Sequence, residues 1–230
     1  MNFLQLCQRL RRKCRVSGTG PTSVANQSEE YARLVDFINE AWMILQRKRP
    51  DWKWMRGSMS FPTVADQAEY TLAQIEATGA GLSNFGNWQR DTFRCYTTAT
   101  GTNDENVLSW LDYDMWRDTY QFGATRHTQT RPTQFTITPV LGIGLGCTPI
   151  VGYTITGDYY KVAAEMEDDD DTPLLPSQFH MAIVYRAMMI FGVAESKPWI
   201  YDEGLANYNA ILGEIELQQL PEIQAPGALA

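Results

Sequence analysis

The side chains able to do chemistry in this 230-residue chain are few and scattered. It has two histidines: His127 sits among Thr, Arg and Gln residues, and His180 falls in the first turn of an expected helix. Metal sites built on histidine need a second ligand at a fixed short spacing, and neither residue has one. They read as a polar loop residue and a helix-start residue. The run Glu165, Glu167, Asp168, Asp169, Asp170, Asp171 carries charge enough for a divalent cation. It lacks the alternating ligand positions and the glycine of a calcium loop, so a solvated, self-repelling hinge is expected. Gly18-Thr19-Gly20 is followed by no lysine that could reach a phosphate. Asp51 and Lys53 directly follow a helix instead of sitting on paired strands, where a nuclease would gather its carboxylates. The expectation is no catalytic residue, no metal and no cofactor.

One cluster could hold a partner. Arg9, Arg11, Arg12, Lys13 and Arg15 crowd the end of the first helix, where cations complement the helix dipole. They are candidates for contact with an acidic partner surface or with DNA. The formal net charge of −8 argues against a protein that coats nucleic acid, because phosphate neutralisation needs a broad basic face. The cysteines are Cys7, Cys14, Cys95 and Cys147, none of them in a Cys-x-x-Cys pair. A reduced cytoplasm is the natural setting, and Cys7 and Cys14, two helical turns apart, read as small buried hydrophobes. The opening Met1-Asn2-Phe3-Leu4 lacks the apolar run of a signal peptide, and no stretch reaches membrane-spanning length. No membrane partner is expected.

These residues must be positioned by a chain whose character changes twice. Residues 2–15 form a short amphipathic helix with Phe3, Leu6, Cys7 and Leu10 on one face. Gly18, Gly20 and Pro21 force a loop. A stronger helix spans 28–49: Tyr31, Leu34, Val35, Ile38, Ala41, Trp42 and Leu45 recur at helical steps, Asn26 or Ser28 offers an N-cap, and Pro50 ends it. From Trp52 to about Val162 the chain is rich in Thr, Gly, Tyr and Phe. The segments 92–97, 134–138 and 150–156 alternate as strands of a small antiparallel sheet with one face buried. A helical interruption capped by Asp112 runs to Phe122, with Met115, Trp116 and Tyr120 on one side. Gly142, Gly144 and Gly146 mark a strand approached closely by backbone or aromatic rings.

After Pro173 and Pro176 two helices close the chain. Phe179, Ala182, Ile183, Arg186, Ala187 and Ile190 mark the first, capped by Ser177. Leu205, Tyr208, Leu212, Ile215 and Gln219 mark the second. Residues 221–230 hold two prolines, a glycine and no helical period, and are expected to extend as a tail. The fold class is α+β: a discontinuous helical bundle, 1–55 and 165–220, carrying an inserted β module at 56–164.

The carriers of a family likeness are spread along the chain. They are the loop Gly18–Val24 ahead of Arg33-Leu34-Val35 and Ala41-Trp42, then Asp51-Trp52-Lys53-Trp54-Met55. Later come Pro132 and Thr148-Pro149 in the sheet, Pro173-Leu174-Leu175-Pro176, and the helices with His180, Ala182-Ile183-Val184, Arg186-Ala187 and Ala206, Tyr208, Leu212. In this order they resemble the adaptor, or head-completion, proteins of tailed bacteriophages, especially the tubular adaptors of short-tailed phages. Leu141–Gly146 departs from that pattern, where a more polar strand is expected.

The resemblance implies a structural virion protein made in the host cytoplasm. Such adaptors form a ring, usually of twelve copies, below the portal protein. Helices wall a channel through which DNA passes without sequence-specific binding, and the inserted module faces tail nozzle or tail fibre proteins. The C-terminal segment lodges on the portal, which assigns that contact to Pro221, Ile223, Pro226 and Leu229. Ten extended residues span roughly 30 Å, enough to bridge subunits, and an acidic channel wall lets a duplex slide. Another minor virion or tail-base protein, or a phage-encoded metal-dependent enzyme using the acidic run, are the alternatives.

Overall fold

The computed structural model describes residues 1–221. In chain order the elements begin with helices α1 (Phe3–Lys13) and α2 (Glu29–Arg47), then strands β1 (Arg56–Pro62) and β2 (Glu69–Tyr70) and helix α3 (Leu72–Ala77). The long strand β3 (Phe85–Thr97) follows, then β4 (Asn106–Val107), β5 (Ser109–Trp110) and the single turn α4 (Tyr113–Trp116). Strands β6 (Gln134–Ile137), β7 (Ile143–Leu145) and β8 (Tyr153–Lys161) lead to the closing helices α5 (Met181–Ala194) and α6 (Pro198–Gln219). The fold is α+β. The chain divides into two compact units, one of Met1–Met55 with the chain from Ala163 onward, the other of Arg56–Val162.

In the helical unit, α1 starts on a capping box. The Gln5 amide donates to Asn2 Oδ1 at 2.9 Å and the Asn2 amide donates to Gln5 Oε1 at 3.1 Å. Its Phe3, Leu6, Cys7 and Leu10 are all buried, as the spacing requires. Ser28 is the N-cap residue of α2 but makes no side-chain cap bond. The stripe Leu34, Ile38, Ala41, Trp42, Leu45 is buried. Trp42 stacks on Trp54 with centroids 5.3 Å apart, and Trp54 stacks in turn on Trp52 at 5.8 Å. Trp52 donates its indole N–H to the Leu45 carbonyl at 3.1 Å, closing the end of α2. Helix α5 buries Ala182, Ile183, Val184, Ala187, Met188, Met189, Phe191 and Gly192, which cover most of its circumference. A helix apolar on nearly all sides must be surrounded, and α1, α2 and α6 all pack on it. Gly204 of α6 is the point of closest approach: a Cβ there would meet the Tyr185 carbonyl oxygen at 2.9 Å.

The chain returns from the β unit as an extended segment fixed to α2 by two side-chain amides. Asn39 donates to the Met166 carbonyl at 2.9 Å and accepts from the Met166 amide at 3.0 Å. Gln46 donates to the Ala164 carbonyl at 2.9 Å and accepts from the Ala164 amide at 3.2 Å. The two amides lie two turns apart on α2, and alternate residues of the extended segment meet them.

The β unit holds two four-stranded sheets, ordered β1-β8-β3-β4 and β2-β7-β6-β5. The expected antiparallel sheet is therefore two, and the second is mixed, because β5 pairs parallel with β6. A parallel pair needs a long crossover, and the segment with α4 and the irregular turns after it supplies one. The sheets share a core in which Phe93 of β3 stacks on Phe135 of β6, centroids 4.2 Å apart. Residues 150–152 precede β8 instead of belonging to it, with Ile150 and Val151 exposed. Asp112 does cap its helix, accepting from the Asp114 amide at 3.0 Å. Trp116 is buried on that helix, while Met115 is 61% exposed and leaves the expected face. The glycine strand is close-packed as its composition suggests. A Cβ on Gly142 would lie 2.5 Å from the Tyr70 carbonyl oxygen, and one on Gly144 would lie 2.7 Å from the Trp116 ring. That ring is itself fixed by a 2.8 Å bond to the Leu145 carbonyl.

Two substitutions check this packing. Trp42 is only 3% exposed, so Trp42→Ala should lower unfolding free energy by about 3–5 kcal/mol in denaturant titration; an unchanged midpoint would mean that the stripe is not core. Gln46→Met keeps the volume but orphans both backbone groups of Ala164, and should cost about 1–3 kcal/mol by the same measurement.

Candidate functional site

The acidic run is solvated in part, with Glu165, Glu167, Asp168 and Asp170 exposed, but it is more than a hinge. Its backbone and carboxylates seat the start of α1 and the loop before α2. The Phe3 and Leu4 amides donate to the carbonyls of Asp171 at 2.8 Å and Asp169 at 3.2 Å, and Asn2 Nδ2 donates to Asp170 Oδ1 at 3.1 Å. Asp169 Oδ1 accepts from the Val24 amide at 2.5 Å and from Ser23 Oγ at 3.2 Å. Asp171 Oδ2 accepts from the amides of Glu167 at 2.6 Å and Asp168 at 2.9 Å, and these two bonds hold its carboxyl below the usual carboxylate value. Like charges tolerate each other here in part because two of the carboxylates, Asp169 and Asp171, accept backbone N–H groups. Among the described residues no three of His, Cys, Asp and Glu come together in an arrangement that could hold a metal ion.

The basic cluster divides into inward and outward members. Arg11 Nη1 donates to the Val16 carbonyl at 3.2 Å and to that of Gly18, holding the loop whose glycines have φ of +93° and +94° at positions 18 and 20. Lys13 pairs with Glu203 of α6 at 3.1 Å, and Arg15 lies over the Trp199 ring at 4.8 Å. Arg12 bonds back to the Gln8 carbonyl at 3.3 Å through Nε. Arg9, Arg12 and Arg15 are exposed and form no salt bridge among the described residues. Lys53, weighed with Asp51 for nuclease chemistry, instead reaches the Gln218 carbonyl at 3.4 Å.

His180 is buried between the turn Ser177–Phe179 and α5. Its Nε2 lies 2.8 Å from the Leu175 carbonyl and its Nδ1 lies 2.7 Å from the Met1 nitrogen. Burial disfavours the imidazolium and lowers the ring's pKa below 6.5. Ser177 makes no cap bond here; the turn closes through the Phe179 amide and the Pro176 carbonyl at 2.8 Å. In the β unit, His127 ends the short turn Ala124–His127. All four cysteines are free and buried. Burial pushes the Cys7 and Cys14 thiols up to about 12 and Cys95 to about 11, so none is a ready nucleophile. Pro221 follows Leu220, whose backbone is extended at φ −87° and ψ 149°. Ile223, Pro226 and Leu229 lie outside the described residues.

Arg186 escaped the sequence reading as a site residue. It occupies the apolar stripe of α5, and its buried Nε has no hydrogen-bond partner. The signal was present: a guanidinium at a stripe position without a carboxylate one turn away.

Because the unfolded chain takes up a proton at His180 more readily than the folded one, stability is full above pH 6.5 and falls as the pH drops through the lowered folded value. The urea midpoint should therefore decrease between pH 7.5 and 5.5, and His180→Gln should flatten that decrease. An equal decrease in both proteins would place the proton uptake elsewhere.

No helix among the described residues is long and apolar enough to cross a membrane. No curated protein matches the chain. The family model described as SU10 adaptor protein matches residues 1–229, nearly the whole sequence. The chain belongs to that family, whose members are phage head-to-tail adaptors.

Proposed function

We propose that this chain is one subunit of a twelve-copy ring that sits below the portal, joins the DNA-filled head to the tail and continues the DNA channel. The observation that carries the reading is the adaptor-family match over residues 1–229. The family's role is structural, which supports reading this chain as a virion component and not an enzyme. In this reading the helical unit walls the channel, and the β unit faces tail nozzle or fibre proteins. The net charge of −8 suits a wall past which a duplex slides without specific contact.

The portal contact is assigned to Pro221, Ile223, Pro226 and Leu229. Prolines reduce the chain entropy lost on docking, and Ile223 and Leu229 are isolated apolar anchors. The chain leaves α6 in extended backbone at Leu220, which suits a segment that continues away from the helical unit. The exposed Arg9 and Arg12 form a second, cationic surface for an acidic partner.

Truncation after Leu220 should leave the thermal unfolding midpoint within a few degrees of the full-length value while abolishing attachment to purified portal rings in a co-sedimentation assay. Full occupancy by the truncated chain would remove the segment as the anchor and move the portal contact to the helical wall, with Arg9 and Arg12 next to be replaced.

A further inference from the structure

The turn between α5 and α6 leaves a trough open on the surface of the helical unit. Met189, Ile190, Val193 and Tyr201 line a hollow of about 400 Å³, and a neighbouring hollow shares Val193 and Tyr201 with it and runs on past Pro198. Val193 is 70% exposed. Arg186 lines the same hollow. Its Nη1 reaches Met189 Sδ at 3.7 Å, a weak acceptor. Its guanidinium lies over the Tyr208 ring at 5.9 Å, but it forms no salt bridge among the described residues, and Glu40, which lines the same hollow, does not pair with it. A guanidinium offers five donors in a fork that fits a carboxylate, and a half-dry one without a counter-ion is costly. The trough thus asks for an apolar side chain with a carboxylate beside it.

The far half of α6 carries that combination. Ala210, Gly213, Glu214 and Leu217 lie on its exposed face, and nothing stands within 4 Å of a Cβ built on Gly213. Leu217 is 87% exposed. Glu214 takes part in no salt bridge among the described residues, and it neighbours Leu217 at the i, i+3 spacing. Leu217 lies about 24 Å along the helix axis from Tyr201, so it cannot fill the trough at the start of its own helix.

We propose that the trough receives the Glu214–Leu217 knob of a second copy of this chain, with Leu217 against Val193 and Tyr201 and the Glu214 carboxylate on the Arg186 guanidinium. Knob and trough are different patches of one molecule, so the contact is head-to-tail and repeats around a closed ring. The proposal rests on the ring reading above and names the faces that build it.

Two full-length variants test it, Leu217→Asp and Val193→Asp, both at exposed positions that the core does not need. Native mass is measured for each variant alone, on portal rings, and in an equimolar mixture. Neither variant should form rings. The mixture should give a one-to-one complex and nothing larger, because it holds one intact knob and one intact trough. Glu214→Gln should weaken subunit association about tenfold, the loss of a charge-assisted bond. Rings formed by both variants, beside rings of the unaltered chain, overturn the knob and trough and leave the ring reading standing. Ring-defective variants that fail to pair in the mixture overturn the head-to-tail contact. A Val193→Asp protein that forms rings but no longer binds the portal gives the trough to a portal segment instead. An unaltered chain that stays monomeric both alone and on portal rings overturns the ring reading and this proposal together.

Discussion

The helical unit depends on how its extended return segment is satisfied. A stretch of chain in no helix or sheet still carries an N–H and a C=O at each residue, and those near the core need partners. Asn39 and Gln46 supply them from α2 in the manner of a neighbouring strand. A few residues on, Asp169 and Asp171 give their carbonyls to the first amides of α1, donors that a helix start always leaves free. One short segment thus terminates α1, braces α2 and delivers the chain to α5. Helix α5 then finds α1 and α2 already in place and needs only α6 to complete its cover.

Electrostatics follows the same division between inside and outside. Three of the five cations near the end of α1 serve the fold, through loop carbonyls, a carboxylate on α6 and the face of Trp199. The one ion pair among them, Lys13 with Glu203, adds little by itself, but with the Arg15–Trp199 contact it joins the end of α1 to α6. Arg186 differs in kind: its guanidinium lies over the Tyr208 ring at 5.9 Å, its buried Nε has no hydrogen-bond partner, and it pairs with no carboxylate among the described residues.

The parts of this fold that could be read in the sequence are those written in short-range periodicity. The stripe of α2 and the burial of Phe3, Leu6, Cys7 and Leu10 follow from helical spacing alone. The close packing of Gly142, Gly144 and Gly146 follows from the absence of side chains at alternate positions. What escaped depends on partners distant in the chain. A run of aspartates shows only its charge until the amides of Phe3, Leu4 and Val24 are known to reach it. Gln46 looks like a surface residue until the return of the chain buries it to 2%. The strand expected at 150–156 starts only at Tyr153, because Ile150 and Val151 lie in a bend ahead of it. Met115 and Trp116 are adjacent on a single-turn helix, so they point different ways and only one can be buried.

The placement of α1 and α2 ahead of the β unit, and of α5 and α6 behind it, has a consequence during biosynthesis. The ribosome releases the apolar faces of α1 and α2, Trp42 among them, long before Met181 emerges to cover them. The β unit is contiguous in sequence, so every residue of its core is available once Lys161 is out. The nascent chain can therefore complete its sheet unit while the two leading helices still await their cover. Contacts of such long sequence separation form slowly, and exposed apolar surface in that interval favours aggregation. Through Lys161 the chain holds 17 Lys and Arg against 15 Asp and Glu, so the excess of negative charge, and the mutual repulsion of copies that comes with it, arrives only with the acidic run and the closing helices.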